Sequence, residues 1–359
     1  MRICMISYIA PYTIPYIDIY LKQIRKTDAQ CDIVFWDRDG NCKNEKEGNI
    51  TYCPYASTAL QSDSKFKRYF QYIPATLHLR KFLKRNHYDR VIFLQTHAAI
   101  ACSGILKKKY KNKYLVDIRD FTLENFKLFR TIEKKAIDHS YATVISSNGY
   151  KSFLPKHEYV IAHNYTPVDK AVVQQINSRY VRNNCINISF IGYVRFYDMA
   201  KKLLLLFKND KRFHLSYIGT GADALASFCR ENQIQNVTLH DKFSPDQTAD
   251  FYRDADLINN LYGNHNPYLD YALSNKLYYA AQFNIPILVS KGTYSCQVAK
   301  ENNLGISWDP DESGAVDKLY KQFCDFDREK MQICSKKFLN TVVEDNSKFS
   351  KMINEFLEG

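Results

Sequence analysis

Apolar and polar residues alternate in short runs, and the longer stretches between them have helical spacing. Residues 1–9 and 31–36 read as opening strands, with a helix over 15–24 between them. An amphipathic helical stretch, interrupted near Pro74, covers 65–86, and 91–95 reads as a buried strand. Residues 115–118, 142–145 and 159–162 continue that sheet, and polar residues 166–185 read as a linker. The alternation then resumes. A strand over 186–191 breaks at Gly192 and leads to Arg195, and a second over 213–218 runs into Gly219-Thr220-Gly221 and a helix over 222–231. Ser274-Asn275-Lys276 is a capped helix start that leads into a buried strand ending at Ser290. Strands alternating with helices predict an α/β fold with parallel sheets, whose ligands bind at the carboxyl ends of the strands. Residues 325–358 read as a closing helix, charged and apolar by turns.

A length of 359 residues suits two domains, and 45% hydrophobic content supplies two cores. There is no apolar run of 18 residues, and Met1-Arg-Ile-Cys-Met-Ile reads as a strand rather than a leader, so a cytoplasmic protein, soluble or peripheral, is expected. The ten cysteines sit singly, without zinc spacing, as reduced thiols would. The charge is uneven. Residues 1–165 hold 27 Lys and Arg against 15 Asp and Glu, whereas the remainder holds 23 of each. The basic runs 65–68, 80–85 and 107–113 are interleaved with Phe66, Tyr69, Phe70, Tyr72, Phe82 and Tyr110. Such a surface suits an anionic membrane, on the inner face of the plasma membrane, ahead of nucleic acid, for which no recognition motif is present.

The candidate chemistry is that of anion binding. A lysine in the first turn opposes the helix dipole by about 0.3–1 kcal/mol, which an anion at the helix end would offset, so Lys276 beside Ser274 and Asn275 suggests such a ligand. Asp37-Arg-Asp39 matches a metal-binding DxD pattern but also reads as a turn after a strand, and Asp254-Ala-Asp256 reads as helix surface. Gly219-Thr-Gly221 lacks the third glycine of a dinucleotide fingerprint, and no GxSxG elbow occurs.

The succession Phe190-Ile-Gly-Tyr-Val-Arg195, Tyr217-Ile-Gly-Thr-Gly221, Asn236-Val-Thr-Leu-His240, Phe251-Tyr-Arg-Asp-Ala-Asp256 and Ser274 to Val289 resembles the donor-binding domain of GT-B glycosyltransferases. It is similar to the retaining, nucleotide-sugar-dependent group that builds bacterial capsular and surface polysaccharides. Asp89 to His97, Tyr114 to Asp120, Ala142 to Asn148 and Val160 to Asn164 follow the same family's order in the first half. The resemblance implies two Rossmann-like domains facing across a cleft. It puts an acceptor-side domain at 1–165, a linker at 166–185, a donor domain at 186–324, and a helical tail at 325–359 that packs back on the first domain. The family's two glutamates fall on Tyr271 and Tyr279, leaving Asp270 as the nearest substitute.

What the resemblance implies is a hexosyltransferase-like enzyme that takes a UDP- or GDP-linked sugar to a saccharide or lipid-linked acceptor, with no metal or other cofactor. Charge builds on the departing diphosphate, so cations and backbone amides are expected there. Arg195 and Lys276, assisted by Lys201 or Lys202 and the amides of Gly192, Gly219 and Gly221, take that role, with Thr220, Ser274, Asn275 and Tyr279 as donor contacts. His97 is expected near the sugar, and Asp120, beside Arg119, near the acceptor. The alternative is an inactive GT-B-like subunit that binds or scaffolds, for which the two tyrosines speak.

Overall fold

The structure, a computed structural model, describes residues 1–57, 65–178 and 185–359. It divides into two compact units, residues 1–164 with 344–359, and residues 165–343.

In the first unit, β1 (Arg2–Ser7), β2 (Gln30–Asp37), β3 (Glu45–Glu47), β4 (Ile50–Ala56), β5 (Arg90–Phe93), β6 (Tyr114–Ile118), β7 (Ala142–Ile145) and β8 (Tyr159–Ile161) form one sheet. Its order is β3-β4-β2-β1-β5-β6-β7-β8, parallel throughout except for β3 against β4. The chain builds outward from β1 through β2 to β4, then returns to the other side of β1 as β5. That reversal, between β1 and β5, is the switch point at which open parallel sheets hold ligands. The core packs Ile3, Met5, Ile33, Phe35 and Ile92 against Tyr20, Leu21 and Ile24 of the helix Asp18–Ile24. Each such apolar side chain contributes roughly 1.5–3 kcal/mol when fully buried.

In the second unit, β9 (Ile186–Ile191), β10 (Phe213–Ile218), β11 (Val237–His240), β12 (Leu257–Asn260), β13 (Ile287–Ser290) and β14 (Gly305–Trp308) are all parallel, in the order β11-β10-β9-β12-β13-β14. Its switch point lies between β9 and β12. Leu257 and Leu288 join one apolar cluster, whereas Ile258, Ile287 and Val289 join another, as alternating side chains in a sheet covered on both faces must.

Two expectations change, and the closing helix packs back on the first unit as expected. The stretch taken as a linker contains the helix Lys170–Asn177, and Val168, Val172, Val173 and Ile176 pack into the second unit's core, so their helical spacing is a buried face. Pro74 lies within one continuous helix, Lys65–Arg85. The tail is the helix Arg328–Glu358: Phe338 and Val342 belong to the second unit's core, while Phe349, Ile353, Phe356 and Leu357 belong to the first. Within the first unit Arg90 donates from Nε to the Phe356 carbonyl at 2.9 Å, and Phe349 meets Tyr20 edge-on.

Candidate functional site

The second unit gathers its candidate residues at the switch point. Ser274 caps the helix Asn275–Phe283, its hydroxyl accepting from the Lys276 amide at 3.3 Å. Lys276, in the first turn, is only 7% exposed. Its ammonium donates to Tyr262 Oη at 2.5 Å and lies 4.0 Å from the centroid of Phe190, which fixes it between the loop after β12 and the end of β9. A Cβ added at Gly192 would come 3.8 Å from Nζ. Among the described residues Lys276 has no carboxylate partner, an unfavourable state for a buried ammonium that a bound anion would relieve.

The glycines act through the space they leave. Gly219 and Gly221 have φ of +132° and +92°. A Cβ at Gly219 would overlap the Gly192 carbonyl, and one at Gly221 would lie 2.6 Å from the Val194 carbonyl oxygen. Their amides are already engaged, which corrects the role expected of them. Gly192 donates to Ile218 O, Gly219 to His240 O and Gly221 to Asp241 Oδ1, so the glycines hold two loops together rather than offering these N–H groups to an anion.

The remaining predicted residues divide. Thr220 and Asn275 are exposed, and Arg195, also exposed, lies over Phe196 at 5.1 Å. Lys202 is turned to Asp311 at 2.5 Å, and Lys201 lies over Phe228. Tyr279 stacks on Tyr252 and Phe283, half-buried in the core, so its ring packs where a donor contact was expected. Asp270 keeps a buried Oδ1 without a hydrogen-bond partner. Tyr262, which orients Lys276, was not singled out from the sequence because β12 carried no readable strand signal.

In the first unit, His97 is the second residue of the helix Thr96–Lys109 and stacks on Tyr8 with centroids 4.7 Å apart. Burial, aided by the Arg38 charge, pushes its pKa down to about 4, so the imidazole is neutral near pH 7. Asp120 is exposed at the end of β6. Arg119, expected to face the cleft with it, is instead buried in a two-point ion pair with Asp117, at 2.5 and 2.8 Å, and also donates to Ala162 O and Asn164 Oδ1. His163 is fixed by Asp345 and Asn346. The DxD reading gives way to the turn. Asp37, fully buried, accepts the amides of Asp39, Gly40 and Cys42, and no group of three metal-ligating side chains occurs among the described residues.

Part of the basic, aromatic surface folds inward. Tyr110 is buried, Phe82 stacks on Tyr88 and Tyr72 lies under Arg38, while Phe70 and Lys107–Lys109 are exposed. Side chains 65–68 with Phe66 and Tyr69 lie outside the described residues. Among the described residues no disulfide joins any of the ten cysteines, and no helix is long and apolar enough to cross a membrane.

Two parallel α/β units of this order match the fold of GT-B glycosyltransferases. Solved structures align along the whole chain. Sucrose-phosphate synthase from Thermosynechococcus elongatus covers 99% of this chain and 94% of its own at 11% identity, with a TM-score of 0.66. A lipopolysaccharide outer core galactosyltransferase covers 98% and 99% at 16% identity and a TM-score of 0.63. The Anabaena protein HepE, determined with UDP and glucose, covers 99% and 98% at 11% identity and a TM-score of 0.61. No protein-family profile and no curated protein sequence matches the chain.

Proposed function

We propose that this chain is a retaining, hexosyltransferase-like glycosyltransferase that moves a sugar from a UDP- or GDP-linked donor to a growing, lipid-linked saccharide of a bacterial surface or capsular polysaccharide. The observation that carries this reading is Lys276: a buried ammonium without a carboxylate partner among the described residues, at the switch point of a parallel sheet, in the first turn of a helix. That arrangement suits a diphosphate, whose negative charge grows as the sugar–phosphate bond breaks. Arg195, exposed on the loop after β9, adds a second cation, and Ser274, Asn275 and Thr220 border the same loops. Asp270, with its unpaired Oδ1, is suited to accept a donor hydroxyl in place of the glutamates that Tyr271 and Tyr279 displace. His97, neutral near pH 7, and the exposed Asp120 serve the sugar and acceptor in this reading. The names of the structural neighbours, a galactosyltransferase of lipopolysaccharide and a protein determined with UDP and glucose among them, support a nucleotide-sugar donor.

With Lys276 and Arg195 neutralising the leaving group, turnover proceeds without a divalent metal and survives EDTA. The basic face of the first unit, Lys107–Lys109 included, holds the protein peripherally on the inner face of the plasma membrane. A thermal-shift panel of nucleotide sugars tests the reading, because a ligand selective for the native state raises Tm. One UDP- or GDP-sugar is expected to do so by several degrees. No shift from any donor at millimolar concentration, in a protein shown to be folded, would remove the donor site.

A further inference from the structure

Among the described residues, the first unit holds a cation without an ion pair at its own switch point. Tyr8 follows β1, Arg38 follows β2 and His97 opens the helix after β5, so three adjacent parallel strands deliver these residues at their carboxyl ends. The Arg38 guanidinium lies 4.6 Å from the Trp36 ring centroid and 5.3 Å from that of Tyr72. Nη2 donates to Tyr72 Oη at 2.9 Å, while Nε is buried and has no partner. Among the described residues Arg38 forms no ion pair. Of the two acidic residues beside it in sequence, Asp37 is occupied by three backbone amides, and Asp39 is exposed and forms no ion pair with Arg38.

The surroundings hold this arginine in place. Trp36 is buried and donates from Nε1 to Ser57 O at 2.8 Å, and Tyr8, also buried, shares a 2.5 Å hydrogen bond with Thr76. His97 stacks on Tyr8, meets Tyr72 edge-on at 6.3 Å and makes no hydrogen bond within the described residues. The helix that it opens runs 14 residues with no acidic residue in its first turn, so its positive end adds to the Arg38 field. A guanidinium stacked on aromatic rings and left without a carboxylate is a planar fork suited to two oxygens of a carboxylate or phosphate.

We propose that Arg38, with Tyr72 and His97 beside it, is an oxyanion-recognition site, and that the saccharide bound by the first unit carries a phosphate or carboxylate group. This rests on the glycosyltransferase reading and specifies its acceptor. Arg38 takes the anionic group, and neutral His97 contributes one N–H donor without adding charge. Tyr72 Oη, already accepting from Nη2, keeps its own proton for the ligand.

The test is calorimetric titration of the full chain with hexose 6-phosphates and hexuronates, each beside its neutral hexose, and with inorganic phosphate. At least one anionic sugar is expected to bind tenfold or more tightly than its neutral counterpart. That preference falls at least tenfold in Arg38→Met, while UDP affinity, which belongs to the second unit, is unchanged. If Arg38→Met fails to fold, Arg38→Lys, which keeps the charge but loses the fork, is expected to lower the preference at least threefold. The proposal is overturned if no anionic sugar exceeds its neutral counterpart, or if the preference survives in both variants. It is equally overturned if inorganic phosphate binds as tightly as every sugar phosphate, since the site would then read the ion and not the saccharide. UDP or GDP binding without anion preference removes this acceptor assignment alone; binding of neither nucleotide removes the donor reading.

Discussion

Gly219 and Gly192 meet backbone to backbone: a Cβ on Gly219 would overlap the Gly192 carbonyl oxygen. Because Gly219 also has φ of +132°, Gly219→Ala combines overlap with backbone strain, and a loss of about 2–4 kcal/mol is expected by urea unfolding. Gly104, on the helix Thr96–Lys109 with open space at its Cβ position, is the control. Gly104→Ala should gain about 0.5–1 kcal/mol. A mild effect at Gly219 would contradict the close packing of the two loops.

Asp117 is fully buried and holds both Arg119 and the Tyr20 hydroxyl. Asp117→Asn leaves a buried guanidinium without its charge partner and should cost about 3–5 kcal/mol, read from the shift in urea midpoint.

The parallel strands with strong apolar runs, β1, β2, β9, β10 and β13, were legible because each is a short β-branched or aromatic run that ends in a turn signal. β4 was not, since Pro54 interrupts it and its residues are half-buried, and β12 was hidden by Asn259 and Asn260 at its end. The helix Lys170–Asn177 was read as linker because its apolar face is narrow and its other face polar. At the site, Lys276 stood out through its conflict with the helix dipole. Tyr262 and Arg38 did not, because what marks them is a partner, or the lack of one, brought close only by the sheet order. The two-glycine motif was visible, but whether its amides were free was a matter of tertiary hydrogen bonding.

A buried carboxyl pair sets a pH response. Glu133 has both oxygens buried beside Glu124, and burial followed by the Glu124 charge pushes its pKa up to about 8, with Arg130 opposing and Tyr159 nearby. Burial raises Glu124 as well. The folded protein therefore keeps a proton that the unfolded chain releases near pH 4.5, so this contribution is complete below that pH and is lost as pH rises through about 8. Glu133→Gln should match the parent near pH 4 and exceed it by on the order of 1–3 kcal/mol at pH 9. Parallel stability profiles for the two proteins would contradict this.

Lys107, Lys108 and Lys109 are exposed on the last turn of their helix, while Tyr110 is buried and adds no insertion. Vesicle binding should therefore need anionic lipid and fall as salt rises, with each lysine contributing about 1 kcal/mol near the surface. Replacing all three by glutamate should lower sedimentation with anionic vesicles at least tenfold and leave nucleotide affinity unchanged. Equal partition onto neutral and anionic vesicles would show that this face does not dock on membranes.

The most direct measurement is calorimetric titration of UDP and GDP into the parent, Lys276→Ala and Lys276→Met, with thermal unfolding of each as the check on folding. Among the described residues Lys276 has no carboxylate partner, so Lys276→Met should unfold at the parent temperature or above. At least one nucleotide should bind the parent, and both folded variants should lose ten- to a hundredfold in affinity, about 1.4–2.8 kcal/mol. Equal nucleotide affinity in parent and variants, or no binding to the folded parent, would contradict the assignment of this lysine to the leaving diphosphate.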